Sequence, residues 1–189
     1  MLKGQPNTSV TVLIERPYLE NPFEVKFDRE RVSVASVPYS GFIKDGIAYI
    51  RLRSFTRNCS NDLKDAILNL KKEQNVKGLI LDLRSNPGGL LNESVNIVNL
   101  FVEKGEEVVS TRGKIESWDK IYKASKLPLD LSTPMVVLIN QSSASASEIV
   151  SGAIQDLDRG VIIGQRSYGK GLVQQTKKLS YNSQLKLTV

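Results

Sequence analysis

The stretch MVVLINQSSASASEIVSGAIQDLDRGVIIGQRSYGKGLVQQ, residues 135–175, decides how this chain folds. It opens on a short apolar run, Met135–Ile139, of strand type. A serine-rich turn follows, with serines at 142, 143, 145 and 147 and alanines at 144 and 146. Residues 148–157 then set Ile149, Val150, Ala153, Ile154 and Leu157 at helical spacing, and residues 161–163 form a second apolar run. The order predicts strand, turn, helix, strand, and then Lys170 between Gly169 and Gly171. A serine at a strand-to-helix turn holds its hydroxyl at a helix N-terminus, where free backbone N–H groups favour developing negative charge. Such a place suits a nucleophile and its oxyanion hole.

The same alternation extends outward. Residues 78–83, GLILDL, are nearly continuous apolar sequence of the kind found in buried parallel strands. The turn RSNPGG, 84–89, is rich in backbone-permissive residues, and 90–101 read as a helix with Leu91, Val95 and Val98 along one side. Ser60 or Asn61 is expected to cap a helix carrying Leu63, Ala66, Ile67 and Leu70. Residues 107–110 read as a strand. Residues 111–134, with Trp118 and Tyr122, have weak periodicity and read as a long loop, or a short helix plus loop, of a size common in lids. From residue 60 on, the pattern predicts a parallel α/β core with right-handed crossovers. The first fifty residues are mostly β: 9–16 alternate until Pro17, 23–27 and 32–37 alternate again, and Asp45-Gly46 marks a hairpin between 41–43 and 47–52. Both ends read as cut, residues 2–4 opening with no preceding element and 185–189 running strand-like to the last residue.

Composition narrows the chemistry. With 189 residues, 40% of them apolar, the chain suits one large domain or one domain plus a fragment. No window approaches ~18 consecutive apolar residues, so no membrane span is expected, and the N-terminus lacks the apolar region of a signal peptide. The net charge of +6 is spread among acids with no basic stripe, which argues against nucleic acid as a partner. The single cysteine, Cys59, forbids an internal disulfide. Above all, there are no histidines. A Ser-His-Asp triad, a Cys-His pair and a His-based zinc site are therefore impossible within this chain. A serine hydrolase built from it needs another base, and lysine is the main alternative.

Three places could carry that chemistry. The sequence SASE, 145–148, matches a capping box with serine at the N-cap and glutamate at N3. The box picks Ser145 over Ser142 and Ser143 and puts Ser147 in the first turn, and it suits a purely structural cap equally well. Lys170 has glycine neighbours that allow close backbone approach. A lysine in water has a pKa of about 10.4, so a lysine base needs a dehydrating, apolar surrounding. Gln174, four residues on, can aim the amine with its amide oxygen or be a plain surface glutamine. Gly88 and Gly89 follow a strand end, where ligands gather in open α/β sheets. They can present a backbone N–H to an oxyanion beside that of Ala146, or simply make a tight turn. No Gly-Lys-Ser/Thr follows them, so this is not a phosphate loop.

The motifs SASASEI (143–149), GAIQD (152–156), Gly164 and YGKGLVQQ (168–175) together resemble the C-terminal processing (tail-specific) peptidases of family S41. RSNPGG after LILDL (79–83) matches their other signature, GIAYIRL (46–52) with Phe55 resembles the start of their protease core, and residues 2–4 with 8–16 resemble the last strand of the preceding PDZ domain. The resemblance implies an α/β, ClpP/crotonase-like core of β-β-α units over residues 18–189, incomplete at its C-terminus. Residues 1–17 would be the terminal strand of a truncated PDZ-like domain. It implies Ser145 as nucleophile, Lys170 as general base and Gln174 as orienting residue, at separations of 25 and 4 that fit the family pattern. Ala146 and Gly88 or Gly89 would hold the oxyanion. No metal or organic cofactor is implied. The implied substrate is a protein cleaved near an apolar C-terminal tail, in the bacterial envelope or periplasm or in the chloroplast lumen, with membrane association only through segments outside this chain. The alternatives are a catalytically idle peptide-binding module on the same scaffold, a crotonase-type acyl-thioester enzyme that would bind coenzyme A, and, from the +6 charge, a nucleic-acid binder.

Overall fold

The computed structural model describes residues 2–32, 34–114 and 116–188. The chain divides into two compact units, Met1–Val34 and Ala35–Val189. The smaller unit is a hairpin of β1 (Ser9–Ile14) and β2 (Phe23–Asp28), antiparallel from Ser9 opposite Asp28 to Ile14 opposite Phe23. Val10, Val12 and Ile14 fall on its half-buried face, as the alternation predicts. The Arg29 guanidinium braces it, donating to Leu2 O (2.8 Å) and Thr8 Oγ1 (2.9 Å). The expected boundary after residue 17 thus falls inside the hairpin's connecting loop.

The larger unit is built on a five-stranded sheet. Its strands are β3 (Tyr39–Lys44), β4 (Ile47–Arg51), β5 (Gly78–Asp82), β8 (Met135–Ile139) and β9 (Val161–Gly164), in the order β3-β4-β5-β8-β9. The β3–β4 hairpin is antiparallel and closes on Asp45 and Gly46, the latter at φ 74°. Every other pairing is parallel, with Leu79 beside Met135 and Val136 beside Val161. The central strand β5 is apolar from Leu79 to Leu81, as suits a strand with parallel neighbours on both sides, and ends on buried Asp82. The helices α1 (Cys59–Glu73), α2 (Leu91–Val98) and α3 (Ala146–Asp156) supply the sheet's cover. Leu63, Ile97, Val150 and Ile154 meet Ile50, Leu81 and Val137 in one fully buried core.

Three expectations need correction. The α1 helix starts before Ser60, with Asn58 at the N-cap in the left-handed region (φ 72°). Its free N–H groups are satisfied from α2: Asn58 N–H donates to Glu93 Oε1 (3.2 Å) and Ser60 N–H to Glu93 Oε2 (2.9 Å). No local sequence rule sees a cap 33 residues away. Second, residues 111–134 are not an open loop. The 3₁₀ turn Glu116–Trp118 leads to β7 (Lys120–Lys123), which pairs antiparallel with β6 (Glu107–Thr111). The following segment is pinned by the Asn99 amide, which bonds Ser125 N and Lys126 N (2.8 Å each), and by Asp130. Third, residues 32–37 form no strand among the described residues; Val32 and Val34 face solvent, and Ser33 lies outside the described residues.

Asp130 is buried and accepts bonds from Lys71 Nζ (2.6 Å), Ser132 N (3.0 Å) and Thr133 N (2.9 Å). Burial opposes its ionisation, but the bonds from Lys71, Thr133 and Ser132 win and hold its pKa well below the usual carboxylate range. Glu93 behaves likewise: burial raises its pKa, and the bonds from Ser60 and Asn58 bring it lower still than the ordinary value. Both folded pKa values lie below the unfolded ones, so their stabilisation is present above about pH 4 and is lost as pH falls through the folded values. The urea midpoint of the larger unit is therefore expected to fall on acidification below about pH 4. Asp130→Asn should cost about 2 kcal/mol at pH 7 and flatten that acid dependence. A midpoint unchanged by the substitution at neutral pH would refute the assignment.

Candidate active site

Two turns at the carboxyl ends of adjacent parallel strands make the site. The first, residues 84–89, follows β5. Asp82 fixes its start, accepting from Arg84 N (2.9 Å), Arg84 Nε (2.9 Å), the other guanidinium arm (2.8 Å) and Tyr49 OH (2.5 Å). Burial raises the Asp82 pKa, but the bonds from Arg84 and Tyr49 overcome it and keep the carboxyl ionised below its ordinary range. The second turn, residues 140–145, follows β8 and ends on Ser145 at the N-cap of α3.

Asn86 fastens one turn to the other. Fully buried, it donates from Nδ2 to Leu52 O (2.9 Å) and accepts Gly88 N–H on Oδ1 (2.9 Å). Its carbonyl accepts from Ala144 N (3.1 Å) and from Ser147 Oγ (2.9 Å). Ser143, also fully buried, donates from Oγ to Leu83 O (2.8 Å). Serines 143 and 147 therefore serve as joints, and half-buried Ser145 lines the cleft beside them. Ser145 has φ 57° and ψ −113°, a conformation costly for a residue with a Cβ. Gly88, at φ 94°, packs directly on this turn: a Cβ there would stand 2.6 Å from Ala144 O, 2.8 Å from Ala146 N and 2.9 Å from Ser145 Cβ.

The two glycines differ in their backbone bonds. Gly88 N–H is taken by the Asn86 side chain. Gly89 bridges to Phe55 through neighbouring atoms, Phe55 N–H to Gly88 O (3.1 Å) and Leu90 N–H to Phe55 O (2.8 Å), which leaves Gly89 N–H outside the ladder.

Lys170 reaches the same place from the segment after β9. It lies ahead of β10 (Gln174–Lys178), in irregular backbone and half-buried. Its amine donates to Gln174 Oε1 across 3.5 Å, a long bond. A cleft of about 540 Å³ is lined by Ser145, Ala146, Gly88, Gly89, Lys170 and Gln174 together, with Leu90, Leu91, Val109, Ile149, Leu172 and Val173 as its apolar wall. All six residues singled out from the sequence thus face one space. Arg112 and Lys186 also line it, and nothing in the sequence marked them. Cys59 is far less suited to nucleophilic work: it is buried, and burial, followed by the Glu93 carboxylate, pushes its thiol up to about 12.

Glu148 is the residue whose second part the sequence did not reveal. The box supplies one bond, Ser145 N–H to Glu148 Oε2 (2.7 Å). The same carboxylate accepts Lys170 N–H on Oε2 (2.9 Å), and Ser167 Oγ (2.8 Å) and Gly169 N–H (2.5 Å) on Oε1. Burial raises its pKa, but the bonds from Ser167, Gly169, Ser145 and Lys170 more than offset this and lower it.

This is a parallel-containing α/β sheet with a serine at a strained strand-to-helix turn, and similarity to known proteins gives its family. Residues 46–189 match the model of peptidase family S41, and the chain belongs to that family. It is 40% identical over 190 residues to a carboxy-terminal-processing protease of Bartonella bacilliformis, and 38% identical over 192 residues to a Staphylococcus aureus protein named as a CtpA-like serine protease. The alignments take in 99% of this chain but 43% and 37% of those relatives, so the chain spans less than half their length. The photosystem II D1 C-terminal processing protease superposes with a TM-score of 0.70 at 32% identity, over 98% of this chain and 51% of that one.

The contact of Gly88 with the Ser145 turn gives a test. Gly88→Ala is expected to cost about 1–3 kcal/mol, from positive φ and from overlap with backbone atoms that cannot swing aside. Gly152→Ala in α3 is the control, since its Cβ meets nothing within 4 Å and helix propensity favours alanine. Urea midpoints read both; equal effects would contradict the packing described.

Proposed function

We propose that this chain is the catalytic core of a serine endopeptidase of the C-terminal processing type, working through Ser145, Lys170 and Gln174. The observation that carries the reading is the shared cleft: a serine on a strained turn and a lysine already bonded to a glutamine amide line one space, in a chain without histidine. In the reaction, the neutral Lys170 amine accepts the Ser145 proton as Oγ attacks the scissile carbonyl carbon. The N–H groups of Ala146 and Gly89 hold the oxyanion; Gly88 contributes shape, because its own N–H is engaged by Asn86. The ammonium returns the proton to the departing amine. A water, deprotonated by Lys170, then splits the acyl-serine ester and regenerates both groups. No metal or cofactor takes part.

The apolar wall from Leu90 to Val173 supports a substrate with apolar residues near its C-terminus, entering as an extended peptide. The core is assigned to the ClpP/crotonase-like class, supported by its β-β-α succession. The β1–β2 hairpin is assigned to the end of a PDZ-like domain, extending past the residue-17 boundary to residue 34 because its second strand lies there. The proposed place is the bacterial envelope or periplasm, a reading supported by the kinship with bacterial carboxy-terminal-processing proteases.

The test is made in the full-length protein with an unfolded polypeptide substrate and a fluorophosphonate probe. Ser145→Ala should abolish both turnover and labelling, and Lys170→Ala should lower kcat by about 10²–10⁴. Turnover that survives Ser145→Ala removes the mechanism. Peptide binding by a wild-type protein that neither labels nor cleaves would establish the idle binding module instead.

A further inference from the structure

A carboxylate on α3 touches both halves of the proposed machinery. Oε2 of Glu148 accepts the backbone N–H of Ser145 (2.7 Å) and that of Lys170 (2.9 Å), so one oxygen atom lies between the nucleophile's main chain and the base's main chain. Oε1 takes the Ser167 hydroxyl (2.8 Å) and Gly169 N–H (2.5 Å). The segment so held, residues 167–170, lies outside regular structure, with Tyr168 and Gly169 exposed and Ser167 and Lys170 half-buried. Its remaining backbone tie to this turn is Tyr168 N–H to Ser143 O (2.9 Å). Gly169, at φ 83°, meets nothing a side chain would touch within 4 Å, so packing does little to place the backbone there.

We propose that Glu148 is a positioning residue that sets the register of Lys170 against Ser145, and that its ionised carboxylate, beyond capping α3, is required for turnover. This rests on the Ser145–Lys170 reading above. The physical basis is the count and kind of donors. A carboxylate accepts from four N–H or O–H groups without conflict. A glutamine in the same place has one acceptor oxygen, and its NH₂ turns donors toward donors. Glu148→Gln therefore keeps the volume and one of the two sets of bonds, and releases the other. A loop free to move by an ångström carries Lys170 out of line, and misplacement of that size costs about 100-fold in rate.

The effect belongs in kcat. The Glu148 carboxylate is absent from the cleft wall, so peptide binding should be spared. In the full-length protein, Glu148→Gln is expected to lower kcat, and the rate of Ser145 labelling by a fluorophosphonate, by about 100-fold with KM within a few-fold of wild type. Amide exchange at Gly169 and Lys170 should lose protection while the core strands β5 and β8 keep theirs. Ser167→Ala removes one donor only and should give a several-fold loss in the same parameters, which keeps the test open if Glu148→Gln folds poorly. Glu148→Asp retains the charge and should recover part of the labelling rate that Glu148→Gln loses. Wild-type labelling and turnover in Glu148→Gln would overturn the proposal, as would a loss confined to KM or one matched by global unfolding in every variant. If instead Ser145→Ala still labels and cleaves, the underlying nucleophile assignment is what has failed.

Discussion

One carboxylate oxygen stands between two backbone N–H groups, those of Ser145 and Lys170, and the geometry of the cleft depends on it. The residues it joins belong to different parts of the chain. Ser145 is fixed by the sheet, through the turn after β8 and the N-terminus of α3. Lys170 comes from a stretch with no ladder bonds of its own, ahead of β10. A lysine on such a segment has no reason from local structure to sit near a serine 25 residues earlier. Charge-assisted hydrogen bonds to Glu148 supply the reason, and they lower its pKa against the burial that raises it.

The rigidity that Glu148 exploits begins one layer deeper. Ser145 occupies a backbone conformation that a non-glycine residue adopts only when its surroundings over-determine it. Those surroundings are polar. Asn86 and Ser143 are fully buried with their side-chain groups bonded, and together with Ser147 they tie the two turns through Leu52 O, Leu83 O and Asn86 O. Gly88 then presses on the turn so closely that a methyl group there would overlap its backbone. Buried hydrogen bonds of this kind fix position more than they add stability, because the groups give up water to form them. An apolar contact would tolerate sliding; these bonds do not.

What could be read from the sequence follows the range of the interactions concerned. The strands β5 and β8 coincide with their apolar runs because burial on both faces leaves little choice of composition. The Asp45-Gly46 hairpin is equally local, its Gly46 at positive φ. The start of α1 escapes local rules because its cap is Glu93, a side chain of another helix. The strand β7 is only four residues long, and its lysines at both ends hide the alternation of Ile121 and Tyr122. In the site, the residue types and spacing pointed to Ser145, Lys170 and Gln174, and the absence of histidine sharpened the choice. They could not separate Gly88 from Gly89, since that depends on which N–H the Asn86 amide reaches. Nor could they single out Asn86, whose importance lies in four bonds to partners scattered over three segments.

The SASE box looks at first like a choice between two explanations, a helix cap or a nucleophile. The two are compatible, because the cap bond runs from the Ser145 backbone N–H while Ser145 still lines the cleft. An N3 glutamate that bonds back to the N-cap residue's N–H has its carboxylate at the mouth of the helix, beside the turn that carries Ser145. Three of the four bonds it accepts are left over from the cap. The Ser167–Lys170 backbone and hydroxyl take up that remainder. Capping is thus the means by which an anion is delivered to a fixed point beside Ser145, and the lysine segment is assembled on that anion. A serine followed three residues later by alanine or leucine could still start a helix, but it would offer the Lys170 segment nothing to hold.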